Sequence, residues 1–153
     1  MNLIKSPLLF LCLVLFAYAA NAENTDYAGA DSNNNQIRDD VDTYISTVHT
    51  SDLKKTVLVK QAKVLQEIMK LDVQDNDATA AVGKRYMKVM SCLAGIYTVN
   101  GEDPSFMRLS RELTEKTFDT KERDTKFHVF LGKIEKMNMN SWGSLGTGSC
   151  NQL

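Results

Sequence analysis

DLKKTVLVKQAKVLQEIMKL, residues 52–71, decides the fold of this chain, because its apolar side chains recur every three or four residues. They form two adjacent stripes: Val57, Val64, Ile68 and Leu71 in one, and Leu58, Ala62, Leu65 and Met69 in the other. Two neighbouring stripes make a broad apolar face, which is typical of a core helix and wider than a coiled-coil seam. Lysines and a glutamate occupy the opposite face. The stretch therefore predicts a helix that is largely buried on one side.

The same spacing predicts four further helices around this one. They begin near Asp39, at residue 78, at Pro104 and at Thr120, and the last runs to about Lys136. Their predicted inward side chains are Val41, Tyr44, Ile45 and Val48; Val82, Tyr86, Val89, Leu93 and Ile96; Phe106, Leu109, Leu113 and Thr117; Phe127, Phe130, Leu131 and Ile134. Val129 and Phe130 also fit a short strand. We expect an all-α fold, an irregular bundle of about five helices with a polar N-terminal loop and a Gly/Ser-rich tail.

The chain divides into four predicted parts. Residues 1–22 read as a signal peptide, with Lys5 before an apolar run too short to span a bilayer and Ala20-Asn21-Ala22 as the cleavage site. Residues 23–38 form a polar linker and loop, 39–137 the helical domain, and 138–153 the tail. We therefore expect a periplasmic or secreted protein. The net charge of −1 is too balanced to favour nucleic acid or a membrane surface as a partner.

Two cysteines, Cys92 and Cys150, follow the predicted signal peptide. In an oxidising compartment an even pair in a small exported domain predicts a disulfide, here one that tethers the tail to the domain. The alternative is a reactive thiol pair, but redox-active cysteines usually occur as C-x-x-C, which is absent.

Oxygen-bearing side chains recur with a chemically meaningful spacing in DSNNNQIRDDVD, residues 31–42. A calcium loop supplies oxygens from positions one, three, five, nine and twelve, and a backbone carbonyl from position seven. Read from its first residue, the predicted metal ligands are Asp31, Asn33, Asn35, the carbonyl of Ile37, Asp39 and Asp42. All are hard oxygen donors, which suit a hard cation.

This stretch of about a dozen residues resembles the loops of EF-hand-like and thrombospondin type 3-like calcium repeats. It also resembles the start of a group of uncharacterised secreted bacterial helical proteins in which such a loop follows the signal peptide. Two positions depart from the pattern: Gln36 occupies the place of the usual Gly, and Asn33 that of an Asp. A side chain at a sharp turn costs free energy and fewer charges weaken binding, so the resemblance implies a weak site.

The loop also has a metal-free interpretation. Asp39 and Asp40 would stabilise the positive end of the helix dipole, and the asparagines would form a polar turn. No catalytic motif is visible, because His49 and His128 lack metal-ligand spacing and there is no phosphate-binding loop. We therefore expect no enzyme, but a small exported binding or accessory protein with calcium as its one cofactor and a protein or small ligand as its partner. The alternative is a metal-free interaction or inhibitor protein.

Overall fold

The computed structural model of the chain describes residues 27–99 and 104–137. Within these ranges it has five helices and no strands, so the predicted all-α irregular bundle is confirmed. The helices are α1 (Asp39–Thr47), α2 (Asp52–Lys70), α3 (Asn76–Val99), α4 (Pro104–Thr117) and α5 (Lys121–Lys136).

Helix α2, the strongest pattern in the sequence, lies at the centre of the bundle and packs against each of the other four described helices. Both of its predicted stripes are buried, and Leu58, Leu65 and Ile68 are completely inaccessible. Gln61 is also buried, and its amide nitrogen donates at 3.0 Å to the carbonyl of Ser110 on α4. The apolar face of α2 is broad because four other helices pack against it.

Short polar segments end each helix and start the next. Ser51 caps α2 by accepting from the backbone N–H of Lys54, and Thr120 caps α5 by accepting from that of Arg123. The Asp75 carboxylate accepts from the Ala78 N–H at 2.9 Å, in the first turn of α3. These contacts satisfy backbone donors that a helix leaves unpaired at its N-terminus.

The segment around Val129 and Phe130 is helical, and the short-strand alternative does not occur. Phe130 is fully buried and meets the ring of Tyr86 edge-on, with 5.9 Å between centroids, whereas Val129 is 48% exposed. Phe118, just after α4, stacks on Phe127 at 4.2 Å. Aromatic packing therefore fixes α5 against α3 and the end of α4.

Two predictions fall on residues outside the described ranges: the signal peptide (1–22) and the tail that carries Cys150. Within residues 27–99 and 104–137, no helix combines the length and the apolarity that crossing a membrane would require.

Candidate metal site in the N-terminal loop

Residues 31–38 form a closed loop that leads directly into α1, and residues 39–42 of the predicted site are the first turn of that helix. The N–H of Asp39, the first residue of α1, donates to the carbonyl of Ala30 at 2.9 Å, which joins the two ends of the loop. Inside it the N–H of Asn34 donates to the carbonyl of Asp31 at 3.3 Å. The backbone therefore has the compact, turning course that an ion-binding loop needs.

The sharp turn expected at position six is present even though the residue is Gln36. Its φ is +73°, in the left-handed region that glycine adopts without steric cost, and Asn34 has φ +56°. Asn tolerates this conformation, whereas a glutamine is strained there. The backbone therefore turns sharply at a residue whose own propensity disfavours the left-handed region.

Asp31 organises the turn. One of its carboxylate oxygens accepts from the N–H of Asn35 at 3.0 Å, and the other accepts from the N–H of Gln36 at 2.9 Å. The side-chain oxygen of Asn35 in turn accepts from the N–H of Ile37 at 2.8 Å. These bonds hold the strained backbone in place and aim the first- and fifth-position side chains into the loop.

Asp42 closes the same group from the helix side. One of its oxygens accepts from the side-chain amide of Asn35 at 2.9 Å and from that of Asn33 at 3.1 Å. These two amide N–H groups compensate part of the negative charge of the Asp42 carboxylate, which is the role that a bound cation would also have. The structure brings together four of the six predicted ligand residues, Asp31, Asn33, Asn35 and Asp42.

The other two predicted ligands are placed differently. The Asp39 carboxylate accepts from the hydroxyl of Ser32 at 2.6 Å and from its N–H at 2.8 Å, and these two bonds hold the pKa of Asp39 below its ordinary value. The Ile37 side chain is 2% exposed and belongs to the core. It extends the apolar row of Val41 and Ile45 by one helical turn. Burial of this side chain fixes the position of the backbone at Ile37, whose carbonyl is the predicted seventh-position ligand.

This donor set fits a weak calcium site. An amide oxygen has two lone pairs, so Asn33 and Asn35 can each keep a backbone hydrogen bond and still coordinate an ion. Calcium accepts a mixture of carboxylate, amide and carbonyl oxygens, with a ninth-position ligand often acting through water. Among the described residues no three His, Cys, Asp or Glu side chains cluster, so amides and a carbonyl would have to complete the shell.

Arg38, which the sequence analysis did not single out, fixes the loop to the bundle. Its side chain is 6% exposed and forms a bidentate pair with Asp40. It also donates to the carbonyls of Lys116 at 2.7 Å and Thr117 at 3.1 Å, and contacts the Asp119 carboxylate at 3.1 Å. One guanidinium therefore caps the C-terminus of α4 and holds the start of α1 beside it.

The residues before the loop also pack on the helices. The Ala28 carbonyl accepts from the buried amide of Gln66 on α2, and the Tyr27 carbonyl accepts from Arg123 on α5 at 3.0 Å. Gly29 has φ +71° and lies directly against the aliphatic part of Arg38. Residues 27–38 thus form part of the packed body as well as a connection to it.

The remaining candidate residues are scattered. Cys92 is fully buried in α3, but Cys150 lies outside the described residues, so the disulfide stays a prediction. His128 is largely exposed on α5 and lies 3.4 Å from Asp124. Two glutamates of α4, which could be mistaken for a catalytic pair of carboxylates, form ordinary i, i+4 helix ion pairs: Glu112 is 2.6 Å from Arg108 and Glu115 is 3.9 Å from Arg111.

No family model, no curated protein and no solved structure matches this chain.

We expect the substitution Gln36→Gly to raise the free energy of unfolding by up to about 1 kcal/mol, because it relieves a left-handed conformation that costs a residue with a Cβ about 1–2 kcal/mol. The gain is reduced by the extra backbone entropy of glycine in the unfolded chain. Gln74→Gly is the matched control: Gln74 is an exposed turn residue without a positive φ, so the same change should destabilise. Urea unfolding of both variants measures the difference, and equal destabilisation would contradict the strain at Gln36.

Acid should weaken the attachment of α1. The bidentate contact with Arg38 holds the pKa of Asp40 below its ordinary value of 3.8. A carboxyl whose pKa is lower in the folded state stabilises the fold above its unfolded pKa, and this contribution is lost as the pH falls through the folded pKa. The Asp40 side chain is 49% exposed, so the pair contributes no more than about 1 kcal/mol.

Urea unfolding of the native protein and of Asp40→Asn measures this effect. At neutral pH the variant should be the less stable of the two, and the difference should shrink as the pH falls below 3.8 and through the lower pKa of Asp40 in the folded protein. A difference that does not change with pH would show that Asp40 acts through packing and not through its charge.

Proposed function

We propose that this protein is a small exported, non-catalytic binding or accessory protein whose loop at residues 31–42 takes up calcium weakly. The observation that carries the proposal is the left-handed conformation of Gln36, held by Asp31, at the position where a calcium loop makes its sharp turn. This conformation costs a residue with a Cβ about 1–2 kcal/mol, and strained residues of this kind are concentrated at ligand-binding positions.

The proposed role of the ion is to order the start of α1. In its absence the carboxylate of Asp42 relies on two amide groups for compensation, and those amides belong to exposed or half-exposed side chains. A divalent cation would supply that compensation more strongly and would connect Asp31 at one end of the loop with Asp42 inside the helix. Binding therefore couples to the stability of this segment.

Isothermal titration of the purified protein with calcium tests the proposal. With only two carboxylates, Asp31 and Asp42, brought together in the loop, we expect a dissociation constant of about 10⁻⁴ to 10⁻³ M, as in extracellular calcium modules. Asp31→Ala and Asp42→Ala should each weaken binding about tenfold or more, since each removes a charged ligand and breaks the bonds that shape the loop.

Asp77→Ala is the matched control, because Asp77 is an exposed carboxylate in the first turn of α3 and lies away from the loop. Its calcium affinity should equal that of the native protein. Helical circular dichroism should be unchanged in all three variants, since none of the three aspartates belongs to the apolar core. No binding heat at millimolar calcium, or equal losses in the control, would reject the proposal.

The second candidate is a metal-free interaction or inhibitor protein, in which the loop is only a helix cap and turn. It is favoured by the internal closure of the loop, where Ser32 already binds Asp39 and the two asparagine amides already bind Asp42. Thermal melting separates the candidates. Identical melting temperatures in calcium and in chelator favour the cap and turn, whereas a higher temperature in calcium favours the ion site.

A further inference from the structure

A cleft of about 390 Å³ between α2 and α3 is lined by cationic side chains on both walls. Lys60 and Lys63 come from α2, and Arg85 and Lys88 come from α3. Each pair is three residues apart, so its members lie on the same face of their helix. Because α2 and α3 pack together, the two pairs face a common space.

The cleft concentrates positive charge in a chain that is almost neutral. Among the residues that the structure describes, its lining contains four cationic side chains and one carboxylate, that of Glu67, which lies 2.8 Å from Arg85. This described lining is therefore positive by three formal charges, whereas the whole chain has a net charge of −1. A concave surface with one predominant sign of charge attracts ligands of the opposite sign.

The cleft also has an apolar floor and a neutral donor. Val64 and Val89 line it and are 4% and 3% exposed, so carbon atoms of a ligand could rest on a firm surface. Gln36 of the N-terminal loop lines the same cleft, and a side-chain amide can donate to an anion. The volume lies within the usual range of small-molecule sites, but the lining is more polar than is usual for them, which favours a charged ligand.

We propose that this cleft binds a small organic molecule that carries two or more negative charges, such as a phosphate monoester or a dicarboxylate. The excess of three positive charges favours a multiply charged ligand, and the valines favour one with a carbon skeleton. The arginine offers a planar donor fork and the lysines offer point charges, which together suit either phosphate or carboxylate oxygens. The proposal does not require calcium in the loop, since Gln36 is the one residue that the described lining shares with it.

Heteronuclear NMR titration of the purified protein, at low salt and in chelator, tests the proposal with glycerol 3-phosphate and with succinate. At least one of the two should shift the amide signals of residues 60–67 and 85–89 with a one-to-one stoichiometry. Its affinity should fall as salt is added, because exposed charges are screened. Glycerol should not bind, and acetate and inorganic phosphate should bind more weakly. The probe that binds with the higher affinity shows whether the cleft prefers a phosphate or a carboxylate group.

The double variant Lys63→Ala/Lys88→Ala should weaken binding about tenfold, since it removes one charge from each wall. Lys121→Ala/Lys136→Ala is the matched control, because it removes the same charge from exposed positions at the two ends of α5. Its affinity should be unchanged. Failure of both dianions to bind, equal losses in the two double variants, or binding of acetate or inorganic phosphate as strong as that of the better probe would overturn the proposal.

Discussion

Replacing Arg38 with methionine should lower the free energy of unfolding by about 2–4 kcal/mol, since it removes the donor to the buried Thr117 carbonyl and the half-buried Lys116 carbonyl and also breaks the ion pairs of Arg38. Arg38 is 5% exposed, and the last residue of α4, Thr117, is 1% exposed, so water cannot easily replace the lost donor at that carbonyl. The partner carboxylates of Asp40 and Asp119 are 49% and 42% exposed. They can be rehydrated, which keeps the loss below that of a fully buried pair.

Two control variants distinguish the capping of α4 by Arg38 from the general effect of removing a positive charge. Arg111→Met removes an arginine of α4 that is 70% exposed and 3.9 Å from its partner, and it should cost less than about 1 kcal/mol. Arg38→Lys keeps the charge but loses the planar fork, so it should recover less than half of the stability lost in Arg38→Met. If urea unfolding gave Arg38→Met and Arg111→Met the same free energy of unfolding, the hydrogen bonds of Arg38 to the end of α4 would contribute no more to stability than an exposed ion pair.

Gly29→Ala should destabilise the protein by about 2–3 kcal/mol, because it combines a left-handed conformation with a steric overlap. The φ of Gly29 is +71°, and a Cβ there would collide with the Cγ and Cδ atoms of Arg38. Arg38 cannot move aside without giving up its bonds to the end of α4. The substitution should therefore loosen residues 27–38 as a unit.

Gly132→Ala provides an internal control of opposite sign. Gly132 lies in the interior of α5, and a Cβ there would meet no atom within 4 Å. Alanine should stabilise the helix by about 0.5–1 kcal/mol through its better helix propensity. Thermal melting of the two variants should thus shift in opposite directions, and a shift in the same direction would contradict the close packing of Gly29 on Arg38.

Features that depend on neighbouring residues were predictable from the sequence. The double stripe of α2, the start of the last helix near Thr120 and the inward face of α5 follow from apolar residues spaced by three and four positions. The loop was also visible, because its oxygen donors have a regular spacing. Ile37 could have been assigned to the core as well, since it continues the row of Val41 and Ile45 by one turn.

Features that depend on contacts between distant residues could not be predicted in this way. Arg38 caps a helix end that lies 79 positions later in the chain, and no local pattern indicates that contact. The role of Gly29 depends on where the Arg38 side chain lies. The cationic cleft needs the packing of α2 on α3, because in the sequence its lysines look like an ordinary solvated face. The conformation of Gln36 opposes its own propensity and so depends on Asp31.

A crystal structure of the protein grown in millimolar calcium tests the central claim, that residues 31–42 form an ion site, most directly. We predict one ion within the loop, bound at about 2.3–2.6 Å by oxygens of Asp31, Asn33, Asn35 and Asp42 and by the Ile37 carbonyl, with Asp39 acting through water. The asparagine amides would then have turned their nitrogens away from Asp42. A loop without an ion, in which both amide hydrogen bonds to Asp42 persist, would contradict the claim and leave the loop as a helix cap and turn.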